Sequence, residues 1–130
     1  MRKKLKGDLG RTFKGDNLIV REWSDFERII SSANLLVNTT SLGMKGQPTL
    51  EVKLNNLPKN ALVVDIVYNP LKTRLLKQAE ELGFEKKPIG GLSMLIAQAR
   101  PGFEEWFGKR PELGFSPELQ QLLIDELQKR

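Results

Sequence analysis

The sequence predicts an α/β protein with a parallel sheet and a helical C-terminal segment. Apolar runs of strand length alternate along the chain with segments of helical period, which is the pattern of βαβ units. The run ALVVDIVY at 61–68 is almost wholly apolar, as parallel strands covered on both faces are. We therefore expect a sheet region over 1–90 and a helical segment over 91–130.

Three other segments have the character of strands. NLIVRE at 17–22 and LLVN at 35–38 are short apolar runs of strand length. Residues 84–89 predict a short strand or an extended link. Asn69-Pro70 ends the ALVVDIVY strand, since proline lacks the N–H that a strand ladder uses.

Two helices are predicted within the sheet region. Ser24 is followed three residues later by Glu27, a capping box that predicts a helix over 25–30. The segment 73–82 places its apolar residues on one helical face, and Gly83 follows as its C-cap. Each helix then connects two strands of the predicted sheet.

Two further helices form the C-terminal segment. Residues 91–107 carry an apolar stripe, and Pro101 is expected to kink this helix or split it in two. The sequence Ser116-Pro117 is typical of a helix start with proline at the first helical position. Four leucines at helical spacing give this last helix its apolar face.

The composition excludes several kinds of catalytic and metal site. The chain has 130 residues, a length that suits one small domain, and contains neither cysteine nor histidine. No disulfide, cysteine nucleophile, zinc–thiolate site, histidine base or Ser-His-Asp triad can therefore be built from its residues. We assign no metal site.

The charge pattern gives little support for a nucleic-acid partner. The formal net charge is +5, but lysines and arginines are spread along the chain without alternating aromatic residues. No apolar run approaches the ~18 residues of a membrane span, and no apolar stretch follows the basic N-terminus as it would in a secretory signal. We expect no nucleic acid, no membrane and, with cysteine absent, a cytoplasmic location.

Polar loops follow two neighbouring predicted strands. In open parallel sheets, ligands bind beyond the carboxyl ends of the strands. The first loop, 38–44, carries the hydroxyls of Thr39 and Ser41, which suit a nucleotide ribose or phosphate; a plain polar turn is the alternative. The second loop begins at Tyr68. The sequence has no Gly-x-Gly-x-x-Gly, so the usual pyrophosphate-binding turn is absent.

Three polar side chains lie in otherwise apolar segments. Tyr68 is either a general acid or substrate hydrogen-bonding group, or an aromatic plug at a strand end. Asp65 interrupts an apolar strand, and because a buried carboxylate needs partners, we expect it to order a loop by accepting N–H bonds. Gln98 follows a Met-Leu-Ile run, where a surface or helix–helix contact is the default interpretation and a ligand the alternative.

Three motifs taken together resemble the C-terminal part of the shikimate dehydrogenases. They are LLVNTTSLGM at 35–44, DIVYNPLKTRLL at 65–76 and GGLSMLIAQARPGFEEWFG at 90–108, in the family's order and spacing. The resemblance implies a partial Rossmann-like NADP domain over 1–90, made of its later strands, and over 91–130 helices that pack on a substrate domain. It also implies NADP-dependent interconversion of 3-dehydroshikimate and shikimate in aromatic amino-acid biosynthesis.

The resemblance further implies roles for six residues, four toward the cofactor and two toward the substrate. Ile66 would pack against the nicotinamide, the two hydroxyl residues would line the cofactor side, and the glycine would lie so near the nicotinamide that a side chain would interfere. One substrate residue, the glutamine, would hydrogen-bond a substrate hydroxyl. The cofactor residues are Thr39, Ser41, Ile66 and Gly91, and the substrate residues are Tyr68 and Gln98.

Three features of the family have no counterpart in this sequence. They are the lysine–aspartate catalytic pair of the N-terminal substrate domain, the Gly-rich turn of the dinucleotide site and the Asn-Arg-Thr stretch that binds the NADP 2′-phosphate. We therefore assign no catalytic residue and expect the chain alone to be inactive; a non-catalytic remnant or interaction module of that family is the alternative. In the strand order 3-2-1-4-5-6, the edge of strand 35–38 would be exposed, so we expect self-association or a complementary N-terminal piece as partner.

Overall fold

The computed structural model describes residues 18–111 and 116–129 of the chain. None of the helices in this part combines the length and apolarity that a membrane crossing requires. Two short 3-10 turns, Trp23–Asp25 and Ile30–Ser32, flank the first helix directly. The strands are β1 Leu35–Asn38 and β2 Leu62–Asp65, and the helices are α1 Phe26–Ile29, α2 Arg74–Glu81, α3 Gly91–Phe107 and α4 Pro117–Gln128.

The sheet is parallel, as the sequence predicts. Leu35 lies opposite Leu62, and the register continues to the pair of Asn38 and Asp65. Ile89 adds an isolated parallel bridge to β2, which confirms the extended link predicted after α2. Since Asp65 donates its N–H to Ile89 on one side and β2 pairs with β1 on the other, the spatial order is β1, β2, Ile89.

Strand β2 is shorter than the run of 61–68 predicted from its apolar residues. The strand ends at Asp65, and the carboxylate of that residue accepts the N–H of Val67 at 3.0 Å, so this N–H bonds to a side chain and not to a neighbouring strand. The apolar residues beyond Asp65 therefore belong to a side-chain-stabilised turn.

One face of the sheet carries the core. The buried cluster combines β2, the segment that follows β1 and one face of α2. On the opposite face of β1, Leu35 is 54% exposed and Val37 is 40% exposed. Strand β1 is thus covered on one face only within the described residues. In β2, whose apolar sequence is typical of strands covered on both faces, Leu62 and Val64 are half-buried. The core consists of Ile30, Leu50, Leu54, Leu57, Ala61, Val63, Leu75 and Ala79.

The strand predicted over 17–22 is wrong for the residues that the structure describes. Residue 17 lies outside them, and residues 18–22 form no strand, with Leu18 and Ile19 exposed. A strand requires a neighbour for its backbone groups, and no described segment pairs with this one. An apolar composition typical of strands is therefore not sufficient to make residues 18–22 a strand.

Helix α1 forms where the sequence predicts it, but without the predicted capping box. Ser24 lies inside the first 3-10 turn, and neither Glu22 before that turn nor Asp25 before the helix makes a side-chain cap bond. Starting the turn early lets Trp23 stack on Phe26, with 5.0 Å between the ring centroids. Ring stacking at this position replaces capping as the local stabilising contact.

Helices α2 and α4 begin and end close to the predicted residues. Ser116 accepts the N–H of Leu119 at 3.1 Å, which confirms the start of α4. A backbone hydrogen bond and the Ser116 hydroxyl lower the pKa of Glu118 in its first turn. At the end of α2 the C-cap is Leu82, one residue earlier than predicted, and Gly83 follows it with φ of 68°.

Helix α3 continues through Pro101 as a single helix, so of the two expected outcomes, a kink or a split, the split does not occur. Proline removes one N–H, but the turns on either side keep theirs, and Phe103 packs on Phe107 with 4.6 Å between the rings. The helix ends at Gly108, whose N–H donates to Glu104 and whose φ is 64°.

The start of α3 lies against the end of β2. Gly91 donates its N–H to the carbonyl of Val67 at 3.1 Å. A Cβ on Gly91 would overlap the carbonyl of Ile66 and lie 2.8 Å from the carbonyl carbon of Val67. Only glycine allows the two backbones to approach this closely.

Replacing Gly91 with alanine is expected to lower the free energy of unfolding by about 3 kcal/mol or more, because backbone atoms must move apart. Gly102→Ala in the same helix is the matched control, since its Cβ would meet only the Trp106 ring at 3.9 Å. There we expect a gain of about 0.5–1 kcal/mol. Urea denaturation measures both, and equal effects would contradict the close packing.

Candidate functional site

The carboxyl ends of β1 and β2 lie side by side and are joined by side chains. Asn38 and Asp65 are paired in the register, and Asn38 Nδ2 donates to Asp65 Oδ1 at 3.0 Å. Both residues are buried, and Asp65 is only 1% exposed. The loops that follow the two strands therefore start from one fixed point.

Asp65 orders the loop after its own strand. Its Oδ1 also accepts the N–H of Val67 at 3.0 Å, and its Oδ2 accepts the hydroxyl of Thr73 at 2.6 Å. Thr73 in turn caps α2 by accepting the N–H of Leu76 at 3.4 Å. This confirms the loop-ordering role predicted for Asp65 and extends it to the start of the next helix.

Asn38 orders the loop after β1. Its Oδ1 accepts both the N–H of Thr40 at 3.0 Å and the hydroxyl of Thr40 at 2.7 Å. Its Nδ2 also donates to the carbonyl of Leu42 at 3.2 Å. Thr39 and Ser41 flank this anchored residue, are exposed, and make no side-chain hydrogen bond with a described residue. Their hydroxyls are therefore available to a ligand.

The two loops are also joined through their backbones. The N–H of Lys45 donates to the carbonyl of Asn69 at 2.9 Å, and the N–H of Gly43 closes the first loop onto Pro48 at 2.7 Å. Gly43 has φ of 88°, a conformation that favours glycine. The two polar loops predicted from the sequence thus form one connected rim at the carboxyl end of the sheet.

Ile66 and Gly91 are brought into contact by the start of α3. Ile66 is half-buried and Gly91 is buried, with the glycine seated on the backbone of Ile66 and Val67. The resemblance attributes Gly91 to a cofactor contact. The structure adds a requirement for glycine that comes from the protein's own backbone, so substitution of Gly91 does not test cofactor binding.

Tyr68 lies beside the start of α3, and Gln98 lies within that helix. Tyr68 directly follows Val67, the residue that accepts the N–H of Gly91. Gln98 is seven residues after Gly91 in α3, so it lies on the same side of the helix about 10 Å farther along. Tyr68 is half-buried and Gln98 exposed, and neither side chain hydrogen-bonds within the described chain.

Sequence reasoning missed two residues that build this rim. In the sequence, Asn38 is only the first residue of the polar loop 38–44, and Thr73 only the first residue of the helical segment 73–82. Both are buried and bond to Asp65. The signal that could have identified Asn38 is that both apolar strand segments end in a polar residue, Asn38 in one and Asp65 in the other. No group of acidic residues in the described part could hold a metal ion.

Thr73→Val is expected to lower the free energy of unfolding by about 3 kcal/mol, because it removes a charge-assisted bond to Asp65 and the cap of α2. Thr73→Ser keeps the hydroxyl and should cost less than about 1 kcal/mol. Urea denaturation of both variants gives the comparison. Equal losses would show that methyl packing at Thr73, rather than its hydroxyl, stabilises the site.

The parallel strands, the rim at their carboxyl ends and the helix that starts behind β2 define a Rossmann-like α/β protein. More particularly, the chain is a homologue of the shikimate dehydrogenases. It is 46% identical over 125 residues to shikimate dehydrogenase (NADP(+)) of Dinoroseobacter shibae, covering 96% of this chain and 44% of the relative. No family model matches the chain.

Solved structures show the same relationship. The chain superposes on quinate dehydrogenase from Corynebacterium glutamicum in complex with NAD with a TM-score of 0.74 and 27% identity, covering 95% of this chain and 42% of that one. For a shikimate dehydrogenase in complex with NADP+ the TM-score is 0.61 and the identity 34%, covering 72% and 32%. The chain thus spans less than half the length of these relatives, and the predicted fold class is confirmed.

Proposed function

We propose that this chain supplies one wall of an NADP-dependent dehydrogenase site for shikimate and 3-dehydroshikimate. The observation that carries the proposal is the connected rim, in which Asn38 and Asp65 fix the loops after β1 and β2. Gly91 attaches α3 to the same place through Val67. The homologues are named as NADP(+)-dependent shikimate dehydrogenases, which supplies the cofactor and substrate class.

The cofactor side of the proposed wall consists of the rim's hydroxyls and the apolar turn after β2. Thr39 and Ser41 offer exposed hydroxyls that suit a ribose or phosphate oxygen. Ile66 offers a half-buried apolar surface for the flat nicotinamide ring, and Gly91 leaves space beside it. Bound NADP would supply the hydride acceptor, and these residues would bind and orient it.

The substrate side consists of uncharged hydrogen-bonding groups. The Tyr68 hydroxyl and the Gln98 amide can each donate and accept hydrogen bonds, which suits a ligand that carries hydroxyl and carbonyl groups. Gln98 has no hydrogen-bond partner among the described residues. A substrate hydroxyl would satisfy it, and this accounts for a glutamine beside an apolar helical run.

The proposal concerns binding and orientation, and it assigns the proton-transfer step to no residue of this chain. Hydride transfer to or from a carbonyl carbon needs a proton donor or acceptor beside it. In the family resemblance that group is a lysine–aspartate pair of another domain. We therefore expect the 130-residue chain to bind ligands weakly and not to turn over shikimate by itself.

The cofactor proposal predicts that NADP shifts the ¹H–¹⁵N signals of Thr39, Ser41, Ile66 and Gly91 in this chain. Nicotinamide mononucleotide should reproduce the shifts at Ile66 and Gly91, whereas 2′,5′-ADP, which lacks nicotinamide, should not. Because the chain carries a net charge of +5, non-specific attraction of the anion is expected as well. Repeating the titration at about 0.5 M salt removes that component.

Two outcomes of this titration would contradict the cofactor proposal. In the first, shifts concentrate on basic surface residues and disappear with added salt. In the second, 2′,5′-ADP shifts Ile66 and Gly91 as strongly as NADP does. Either result would mean that the apolar turn after β2 does not receive the nicotinamide.

For the substrate side, shikimate is expected to shift the side-chain amide signals of Gln98. The Gln98→Ala variant should weaken shikimate binding about fivefold or more, since it removes one hydrogen bond of about 1 kcal/mol. Gln121→Ala on α4 is the matched control, because the side chain of that exposed glutamine bonds to Asp125 at 2.8 Å among the described residues. Equal affinities in the two variants would remove Gln98 from the proposed wall.

A further inference from the structure

The side-chain amide of Asn38 uses its whole hydrogen-bonding capacity inside the protein. Its Nδ2 donates to Asp65 Oδ1 at 3.0 Å and to the carbonyl of Leu42 at 3.2 Å. Its Oδ1 accepts the N–H of Thr40 at 3.0 Å and the hydroxyl of Thr40 at 2.7 Å. An amide has two donors and two acceptor positions, so none is left for a ligand. Asn38 therefore acts on a ligand only through the residues that it holds.

The loop after β1 is closed by bonds between alternate residues. Thr40 Oγ1 accepts the N–H of Leu42 at 3.1 Å, in addition to donating its hydroxyl to Asn38. The backbone of Ser41 is fixed as well, since its carbonyl accepts the N–H of Met44 at 3.1 Å. Within the described chain, the hydroxyl of Thr40 is thus bonded twice, while the hydroxyl residues on either side of it remain exposed.

Asn38 also lines an apolar groove of about 390 Å³. The groove has the rings of Trp23 and Phe26 in its wall, together with aliphatic side chains such as Val37, and none of its described lining residues is charged. From the neighbouring strand, Asn38 faces the carboxylate of Asp65. A negative charge at position 38 would therefore have no neutralising partner in the groove and a like charge opposite, whereas the neutral amide meets neither difficulty.

This arrangement fixes the rim before any ligand binds. Ordering a loop on binding costs free energy, and a loop that is already held in place does not incur that cost. Thr39 lies between two residues joined by a side-chain bond, and Ser41 lies between Thr40 and Leu42, which are joined in the same way. The positions of both exposed hydroxyls thus depend on the buried amide of Asn38.

We propose that Asn38 is a positioning residue for the cofactor, and that cofactor binding requires a neutral amide at this place. This role rests on the function proposed above, in which Thr39 and Ser41 bind a ribose or phosphate oxygen. Asn38 contributes by holding the loop closed through Thr40 and Leu42, and Asp65 keeps the amide in the orientation that does so. Asn38 itself does not touch the cofactor.

Asn38→Asp tests the requirement for a neutral amide, because it keeps the shape of the side chain and replaces a donor with an acceptor. Two carboxyl groups at the present Asn38–Asp65 distance of 3.0 Å share one proton at low pH and repel each other once that proton is lost. We therefore expect the variant to bind NADP about threefold more weakly than the native chain at about pH 5.5, and about tenfold or more at about pH 8. Because the 2′-phosphate of NADP also titrates, each Kd from the ¹H–¹⁵N titration is divided by that of the native chain at the same pH.

A second comparison adds no charge to the loop. Thr40→Val removes the hydroxyl that bonds to Asn38 and Leu42, and should weaken NADP binding about threefold or more at every pH. Thr40→Ser keeps the hydroxyl and should bind within about twofold of the native chain. Thr40 is exposed, so both variants are expected to fold, and circular dichroism checks this for all three variants. In both Thr40 variants, shikimate should still shift the side-chain amide of Gln98, since that residue lies on α3.

Two outcomes would overturn the role of Asn38 and leave the proposed function in place. In the first, the amide signals of Thr40 and Leu42 change with pH in the Asn38→Asp variant while its relative NADP affinity does not, so the loop is ordered without positioning the cofactor. In the second, Thr40→Val and Thr40→Ser bind NADP equally well, and this comparison decides the matter if Asn38→Asp does not fold. A native chain that shows none of the cofactor shifts would overturn the proposed function, and the role of Asn38 with it.

Discussion

The hydrogen bond between Asn38 and Asp65 is the interaction on which the rest of the site depends. It joins the carboxyl ends of two parallel strands, at the point where the backbone leaves the sheet. A carboxylate that is almost fully buried needs several donors to offset its lost hydration. The donors to Asp65 are the side-chain amide of Asn38 on the neighbouring strand, the N–H of Val67 and the hydroxyl of Thr73. Because one buried carboxylate needs all three donors, it fixes three segments relative to one another.

The backbone contact at Gly91 places the helix α3 in relation to that network. Because Asp65 holds the N–H of Val67, the carbonyl of Val67 remains directed at the start of α3, where Gly91 donates to it. The absence of a side chain on Gly91 sets the separation of helix and turn. Gln98 lies two turns later on the same side of the helix. Its location therefore depends on the contact between Gly91 and Val67, which is far from its own side chain.

The two strands differ in how far their faces are covered. On β1, Leu35 and Val37 remain exposed on the face opposite the core. Sequence composition predicted burial on both faces only for the run 61–68, where Leu62 and Val64 of β2 are half-buried. The strand predicted over 17–22 failed for a related reason, since its composition favours a strand but no described segment pairs with residues 18–22.

The sequence by itself determined the parallel α/β class, the helices from Arg74, Gly91 and Pro117, and the two polar loops, because period, caps and strand ends are local properties. Tertiary structure decided the rest. Only the register places Asn38 beside Asp65, and only the approach of two backbones shows why residue 91 must be glycine. Contacts between residues distant in sequence depend on how the elements pack, and the residues of one segment do not determine that packing.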